Sequence, residues 1–213
     1  MKSNRFNSPS AINTINQCRR KYFYKYKLGI PEDSSLELLM GNLVHQAIKE
    51  KTDNLEKDIE GIFDSLCKKN ETEIKRLNTN KEDLEKLYQD CRIMLLNWQK
   101  DFDPDAGLEC EVPLKSEKYQ VIGFIDEIIK KNGKVTIIDN KTSKKEVLNK
   151  NIETQLAVYA LLYYENFGKY PDHVGVRFLR SGKKEYIPVD DKLISKAVYE
   201  CRLKPLCRKL KNN

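Results

Sequence analysis

Two strand-like runs joined by Asn132-Gly133 constrain this 213-residue chain more than any other stretch. Asn and Gly both tolerate positive φ, which a two-residue turn between antiparallel strands requires. Residues 119–129 and Lys134–Lys141 therefore predict a hairpin, and residues 109–114 read as a third strand before it. Upstream the period is helical. Ser8-Pro9-Ser10 opens a short helix, since a Ser cap and an early Pro suit a helix start; Ile12, Ile15 and Cys18 follow at helical spacing. Met40, Leu43, Val44, Ala47 and Ile48 form the stripe of a second helix, whose pattern continues toward Cys67 through Ile59, Ile62, Phe63 and Leu66. A third helix over residues 81–100 carries Leu84, Leu87, Tyr88, Cys91, Leu95 and Trp98 on one side. Asp103-Pro104-Asp105-Ala106-Gly107 ends the helical pattern. After the hairpin come a helix over residues 152–167, strands over 171–179 and 185–189, and a basic helix from Asp191. Helices, three strands, a helix and further strands predict an α/β sandwich around a mixed sheet, not an all-α bundle.

Length suits one domain, or one core with a helical addition. With 39% hydrophobic and 33% charged residues the composition is globular, and a net charge of +7 suits an anionic partner. The longest nearly apolar run, residues 156–164, is far shorter than the roughly 20 residues that span a bilayer. Residues 1–8 lack a signal-peptide core. The expectation is a soluble, cytoplasmic protein with no membrane partner. Six scattered cysteines without a CxxC pattern read as ordinary buried thiols.

The chemistry concentrates in Gly123-Phe124-Ile125-Asp126 and, thirteen residues after that Asp, in Ile138-Asp139-Asn140-Lys141. Side chains two apart on a strand share a face, so Asp139 and Lys141 emerge together. If the hairpin pairs these strands, Asp126 lies close to Asp139. Two carboxylates at a sheet edge repel unless a cation sits between them, and hard oxygen ligands suit Mg²⁺ or Mn²⁺. Alone, an Asp-x-Lys at a strand end is usually a solvated turn; other features must add weight. His45, one of two histidines, follows Gly41 by one turn, and the glycine leaves space on its face. Gln155 and Tyr159 share a helix face just after the site, placed to hydrogen-bond a nucleic-acid backbone or to hold Lys141. Arg19, Arg20 and Lys21 open a stretch of interleaved cations and aromatics, as in single-strand grooves. Lys144 and Lys145 lie just past Lys141, and Arg202, Lys204, Arg208, Lys209 and Lys211 crowd the carboxyl end.

Taken in order, Ser10, Cys18-Arg19-Arg20-Lys21-Tyr22, Gly41-x-x-x-His45, Gly123-Phe124-Ile125-Asp126, Ile138-Asp139-Asn140-Lys141 and Gln155-x-x-x-Tyr159 resemble the RecB-like branch of the PD-(D/E)XK nucleases. That branch includes nuclease domains of recombination helicases and CRISPR-associated exonucleases. The resemblance implies a restriction-endonuclease-like core with an N-terminal helical addition, forming a single nuclease domain over 1–213. Its helical part to about residue 105 carries His45, the catalytic sheet and Gln-x-x-x-Tyr helix occupy about 106–190, and a basic helix closes the chain. It implies His45, Asp126, Asp139 and the Asn140 carbonyl as metal ligands and Lys141 as the catalytic lysine, with Gln155 and Tyr159 contacting DNA and supporting the site. Glu111 falls where relatives carry a further acid, although Glu109 has the same strand parity. Many relatives hold an iron–sulfur cluster on four cysteines. Cys18, Cys201 and Cys207 match three of those positions but Val198 occupies the fourth, so no cluster is expected.

The leading expectation is a divalent-metal-dependent DNA nuclease, by family analogy an exonuclease on DNA ends or single strands. The alternatives are a silent nuclease-fold DNA-binding or scaffold subunit, and an RNA-processing enzyme. No G-x-x-x-x-G-K-[ST] motif is present, so a helicase or other repair or CRISPR protein would act as a separate partner.

Overall fold

The computed structural model describes residues 6–77 and 80–202. Five strands, β1 (Gly107–Ser116), β2 (Val121–Lys131), β3 (Lys134–Lys141), β4 (His173–Phe178) and β5 (Lys183–Pro188), form one mixed sheet in chain order. β1–β2, β2–β3 and β4–β5 are antiparallel; β3 and β4 are parallel, as a helical crossover between them allows. The β2–β3 turn forms as its dipeptide requires, with φ of 53° at Asn132 and 74° at Gly133 and Lys131 paired to Lys134.

The crossover is helix α7 (Lys150–Phe167), following α1 (Pro9–Gln17), α2 (Arg19–Tyr22), α3 (Leu36–Asp53), α4 (Ile59–Lys69), α5 (Glu71–Arg76) and α6 (Lys81–Lys100); α8 (Asp191–Arg202) comes last. Asn149 caps α7 by accepting from the amides of Asn151 and Ile152. Gly168, at φ 73°, ends the helix by donating to the Tyr164 carbonyl. One sheet face is covered by α7, with α1 and α8 beside it, around Ile125, Ile137, Leu156, Val158, Leu161 and Val176. Each such buried aliphatic contributes roughly 1.5–3 kcal/mol. A second core, with Met40, Val44, Phe63, Leu66, Met94, Leu95 and Trp98 from α3, α4 and α6, covers Cys110 on the other face.

The second helix does not run on to Cys67. It stops at Asp53, because Asn54 takes a non-helical conformation and Asp58 starts a new helix by accepting from the Gly61 amide. Lys51 secures the link, donating to the Leu55 and Lys57 carbonyls. Apolar spacing thus survives a break that the short polar caps impose. After α2 the chain makes a π-helical turn over Phe23–Lys27.

Both long strands change face where the site lies. In a regular strand residues two apart point the same way. Here Leu108 and Cys110 pack with α3 and α6, whereas Val112 and Leu114 pack with α7. The residue between is Glu111, held at φ 54°. In β2, Ile125 and Ile128 both join the α7 core, while Glu127 bonds Trp98 of α6. The register on both sides of the defect, Cys110↔Glu127 and Val112↔Ile125, sets Glu111 opposite Asp126. One step beyond Glu127↔Ile138, Asp126 falls opposite Asp139. Three carboxylates therefore form one row across the sheet.

Candidate active site

His45 approaches this row from α3. Its Nδ1 stands 3.5 Å from Glu111 Oε1 and 3.7 Å from Asp126 Oδ2, longer than ordinary hydrogen bonds. One ligand atom from each of His45, Glu111 and Asp126 lies within 4.8 Å of the other two, the only such group among the described residues. Asp139 stands beside them, 1% exposed; its Oδ2 accepts no hydrogen bond but lies 2.7 Å from the Lys141 ammonium. Asp126 is fixed by the Asn140 amide, which donates to its Oδ2 over 2.6 Å.

His45 and Lys141 only partly balance the buried carboxylates. Burial raises the Asp126 carboxyl, Asp139 adds to this, and His45 and Lys141 only partly offset it, leaving a pKa of about 7. Burial pulls His45 down, but Asp126, Glu111 and Asp139 outweigh it and raise the imidazole to about 9. A divalent cation is the species that relieves such a cluster. One imidazole nitrogen among carboxylate oxygens fits Mn²⁺ well and Mg²⁺ less readily.

Lys141 is positioned from behind. It donates to Gln155 Oε1 over 2.9 Å; Gln155 Nε2 donates to the Tyr159 hydroxyl, which donates to the Phe124 carbonyl, each over 2.8 Å. Tyr159 is buried, so of the two roles open to this pair, holding the lysine is the one whose bonds are formed. Gly123 permits the arrangement by lying flat beneath the Tyr159 ring, and Gly41 does the same for Thr142, just past Lys141. The space beside Gly41 is thus filled by Thr142.

The other expected residues are dispersed. Arg19, Arg20 and Lys21 are exposed on α2, with Lys21 3.0 Å from Glu32. In the adjoining aromatics Tyr22 is core, while Phe23 and Tyr24 are exposed. Lys144 and Lys145 line a cleft of about 470 Å³ with Gly41, Thr142 and Arg180, adjoining the site. Arg180 is held there, donating to the Thr142 carbonyl and to Asp90. Cys18 is exposed and caps α2, accepting from the Lys21 amide, and Cys201 lies in the α7 core. Cys207 and the basic residues Lys204, Arg208, Lys209 and Lys211 lie outside the described residues. Burial raises Cys67 to about 11 and Cys91 and Cys110 to about 12, which favours the protonated thiol over the thiolate.

Sequence reasoning missed a network on the opposite face. Glu127 Oε1 accepts from Trp98 Nε1 (2.7 Å), Asn140 Nδ2 (2.5 Å) and Arg177 Nη1 (2.7 Å). The available signal was a Glu and an Arg inside otherwise apolar strands, Asp126-Glu127-Ile128 and Val176-Arg177-Phe178.

Residues 7–209 match the family model of the PD-(D/E)XK nuclease superfamily. Over 89 residues the chain is 36% identical to the CRISPR-associated exonuclease Cas4 of Francisella tularensis subsp. novicida (strain U112), covering 40% of this chain and 42% of that protein. The chain thus matches less than half the length of this curated relative. A solved structure from Eubacterium rectale, of a protein described as a candidate exonuclease, superposes with a TM-score of 0.62 at 18% identity, covering 98% of this chain and 82% of that one. At that identity the likeness shows a shared fold. No helix among the described residues is long and apolar enough to cross a membrane.

Proposed function

Because the chain belongs to the PD-(D/E)XK nuclease superfamily, whose members use divalent metal ions, we propose that it is a metal-dependent deoxyribonuclease acting as an exonuclease on DNA ends or single strands. The observation that carries this reading is the convergence of His45, Glu111 and Asp126, with Asp139 and Lys141 alongside, on one row of a distorted sheet. His45, Glu111, Asp126 and Asp139 would hold the ion, together with the Asn140 carbonyl. A bound divalent ion supplies Lewis-acid activation of water and of the scissile phosphate. Lys141 is held by Gln155 and Asp139 where its ammonium offsets charge developing on the phosphate. Lys144 and Lys145, lining the adjoining cleft, meet the phosphates of the same strand. The likeness to a CRISPR-associated exonuclease supports exonuclease action and a CRISPR or repair setting for its partners.

The test is cleavage of end-labelled single- and double-stranded DNA by wild type and Lys141→Ala, with Mn²⁺, Mg²⁺ or EDTA. Cleavage should need metal, vanish in the variant while DNA binding persists, and leave a ladder retreating from one end. Folded wild type that binds neither metal nor DNA would overturn the reading.

A further inference from the structure

Glu127 has no place in the reaction described above, yet it is 1% exposed and charged, and one of its oxygens receives three donors from three elements. A carboxylate is costly to bury unless it is paired and hydrogen-bonded, and here α6, β3 and β4 supply the partners. The partner on β3 is Asn140, which lies between Asp139 and Lys141. Its side-chain amide is held at both ends: Nδ2 donates to Glu127, and Oδ1 accepts from Arg177 Nη1 over 3.3 Å. On the site face the same residue's backbone N–H donates to Asp126. Asn140 is thus pinned from both sides of the sheet, by Asp126 in front and Glu127 behind, and these two are neighbours on β2. Neighbours on a strand point to opposite faces, so Asp126 and Glu127 reach Asn140 from front and back. Rolling β3 about its axis, which would swing Asp139 and Lys141 away from His45 and Asp126, would break both bonds.

From this we infer that Glu127 is a positioning residue: through the Asn140 side chain it sets the roll of β3 and so the placement of Asp139 and Lys141 against the divalent-ion site. The inference rests on the proposed nuclease reading. Arg177 supplies the opposite charge that lets Glu127 stay buried, 2.7 Å away.

The test uses two variants. Asn140→Leu removes the link and leaves the Glu127–Arg177–Trp98 contacts intact. Glu127→Leu/Arg177→Met removes the clamp together with its counter-charge, because a buried pair can be replaced by apolar residues with little effect on folding, whereas removing one partner strands a charge. Mn²⁺ affinity is measured without DNA by titration and by the Mn²⁺ paramagnetic resonance spectrum; kcat and KM are measured separately. Both variants should keep the wild-type far-ultraviolet circular dichroism, bind Mn²⁺ roughly ten- to a hundredfold more weakly with a changed spectrum, and lose kcat with little change in KM. Should the double variant fail to fold, Asn140→Leu decides alone. Wild-type Mn²⁺ affinity and kcat in folded Asn140→Leu would overturn the inference and leave Glu127 as core packing. Absence of Mn²⁺ binding and cleavage in the wild type would instead refute the nuclease reading itself.

Discussion

Gly123→Ala is the substitution whose effect follows most directly from the structure. A Cβ at this position would lie 2.9 Å from Leu162 Cδ1 and 3.1 Å from Tyr159 Cε1. Leu162 is 1% and Tyr159 4% exposed, so neither has room to retreat. Overpacking of this kind costs about 1–3 kcal/mol. Replacing Gly by Ala within a strand returns roughly 0.5–1 kcal/mol. The net loss is therefore about 0.5–2 kcal/mol, which in a protein of this size lowers Tm by roughly 1–8 °C. Displacing the ring also disturbs the chain of bonds from the Phe124 carbonyl through Tyr159 and Gln155 to Lys141. If that loosens the lysine by the worth of one hydrogen bond, about 1 kcal/mol, cleavage should slow roughly five- to tenfold. Scanning fluorimetry and single-turnover cleavage measure the two effects. Tyr159→Phe removes the hydroxyl without adding volume and should slow cleavage similarly. Because both changes act through one ring, the double variant should lose less rate than the product of the single losses. A Gly123→Ala protein with raised Tm and unchanged cleavage would refute the reasoning.

Two further predictions concern the ion site. Glu111 holds a left-handed backbone that costs a non-glycine residue about 1–2 kcal/mol; less the roughly 0.5–1 kcal/mol entropy cost of glycine, Glu111→Gly should raise the metal-free Tm by roughly 1–4 °C and abolish the Tm increase produced by Mn²⁺. A Mn²⁺ response as large as that of wild type would show that Glu111 is not a ligand. The pH dependence follows from two raised groups. Asp126 is raised from 3.8 to about 7 by burial and by Asp139, so its contribution is complete below 3.8 and lost as pH rises through about 7. His45, pulled down by burial but lifted from 6.5 to about 9 by the carboxylates, contributes fully below 6.5 and loses this as pH rises through about 9. Metal-free Tm should therefore fall between pH 6 and pH 9. Saturating Mn²⁺ should reduce the fall, because ion and protons compete for the same atoms; a metal-free Tm that climbs across this range would contradict the assignment.

Features that depend only on neighbours along the chain were legible in the residues alone. Asn132-Gly133 specified the hairpin, and hairpin register then brought Asp126 to Asp139, since a two-residue turn leaves no freedom in pairing. Helical spacing and Ser8 located α1, and the apolar pattern after the hairpin located α7 as a helix. The family's motifs, met in order, pointed to the site residues that the fold gathers. What remained was decided by packing between distant segments. Glu109 and Glu111 have equal parity in the sequence. Glu109 pairs with Lys130 at the surface, while the left-handed turn at Glu111 aims its carboxylate at Asp126 and His45. No local pattern announces that turn, because it exists only where two sheet faces must be served by different helices. The same holds for Gln155 and Tyr159, which the sequence left between binding DNA and holding Lys141; the bonds from Lys141 through Gln155 and Tyr159 to the Phe124 carbonyl appear only in the folded chain. Glu127 carried no signal of its own beside Asp126. Only Trp98, Asn140 and Arg177, contributed by α6, β3 and β4, make it an interior residue, since a carboxylate can leave water only where other parts of the chain replace its solvation.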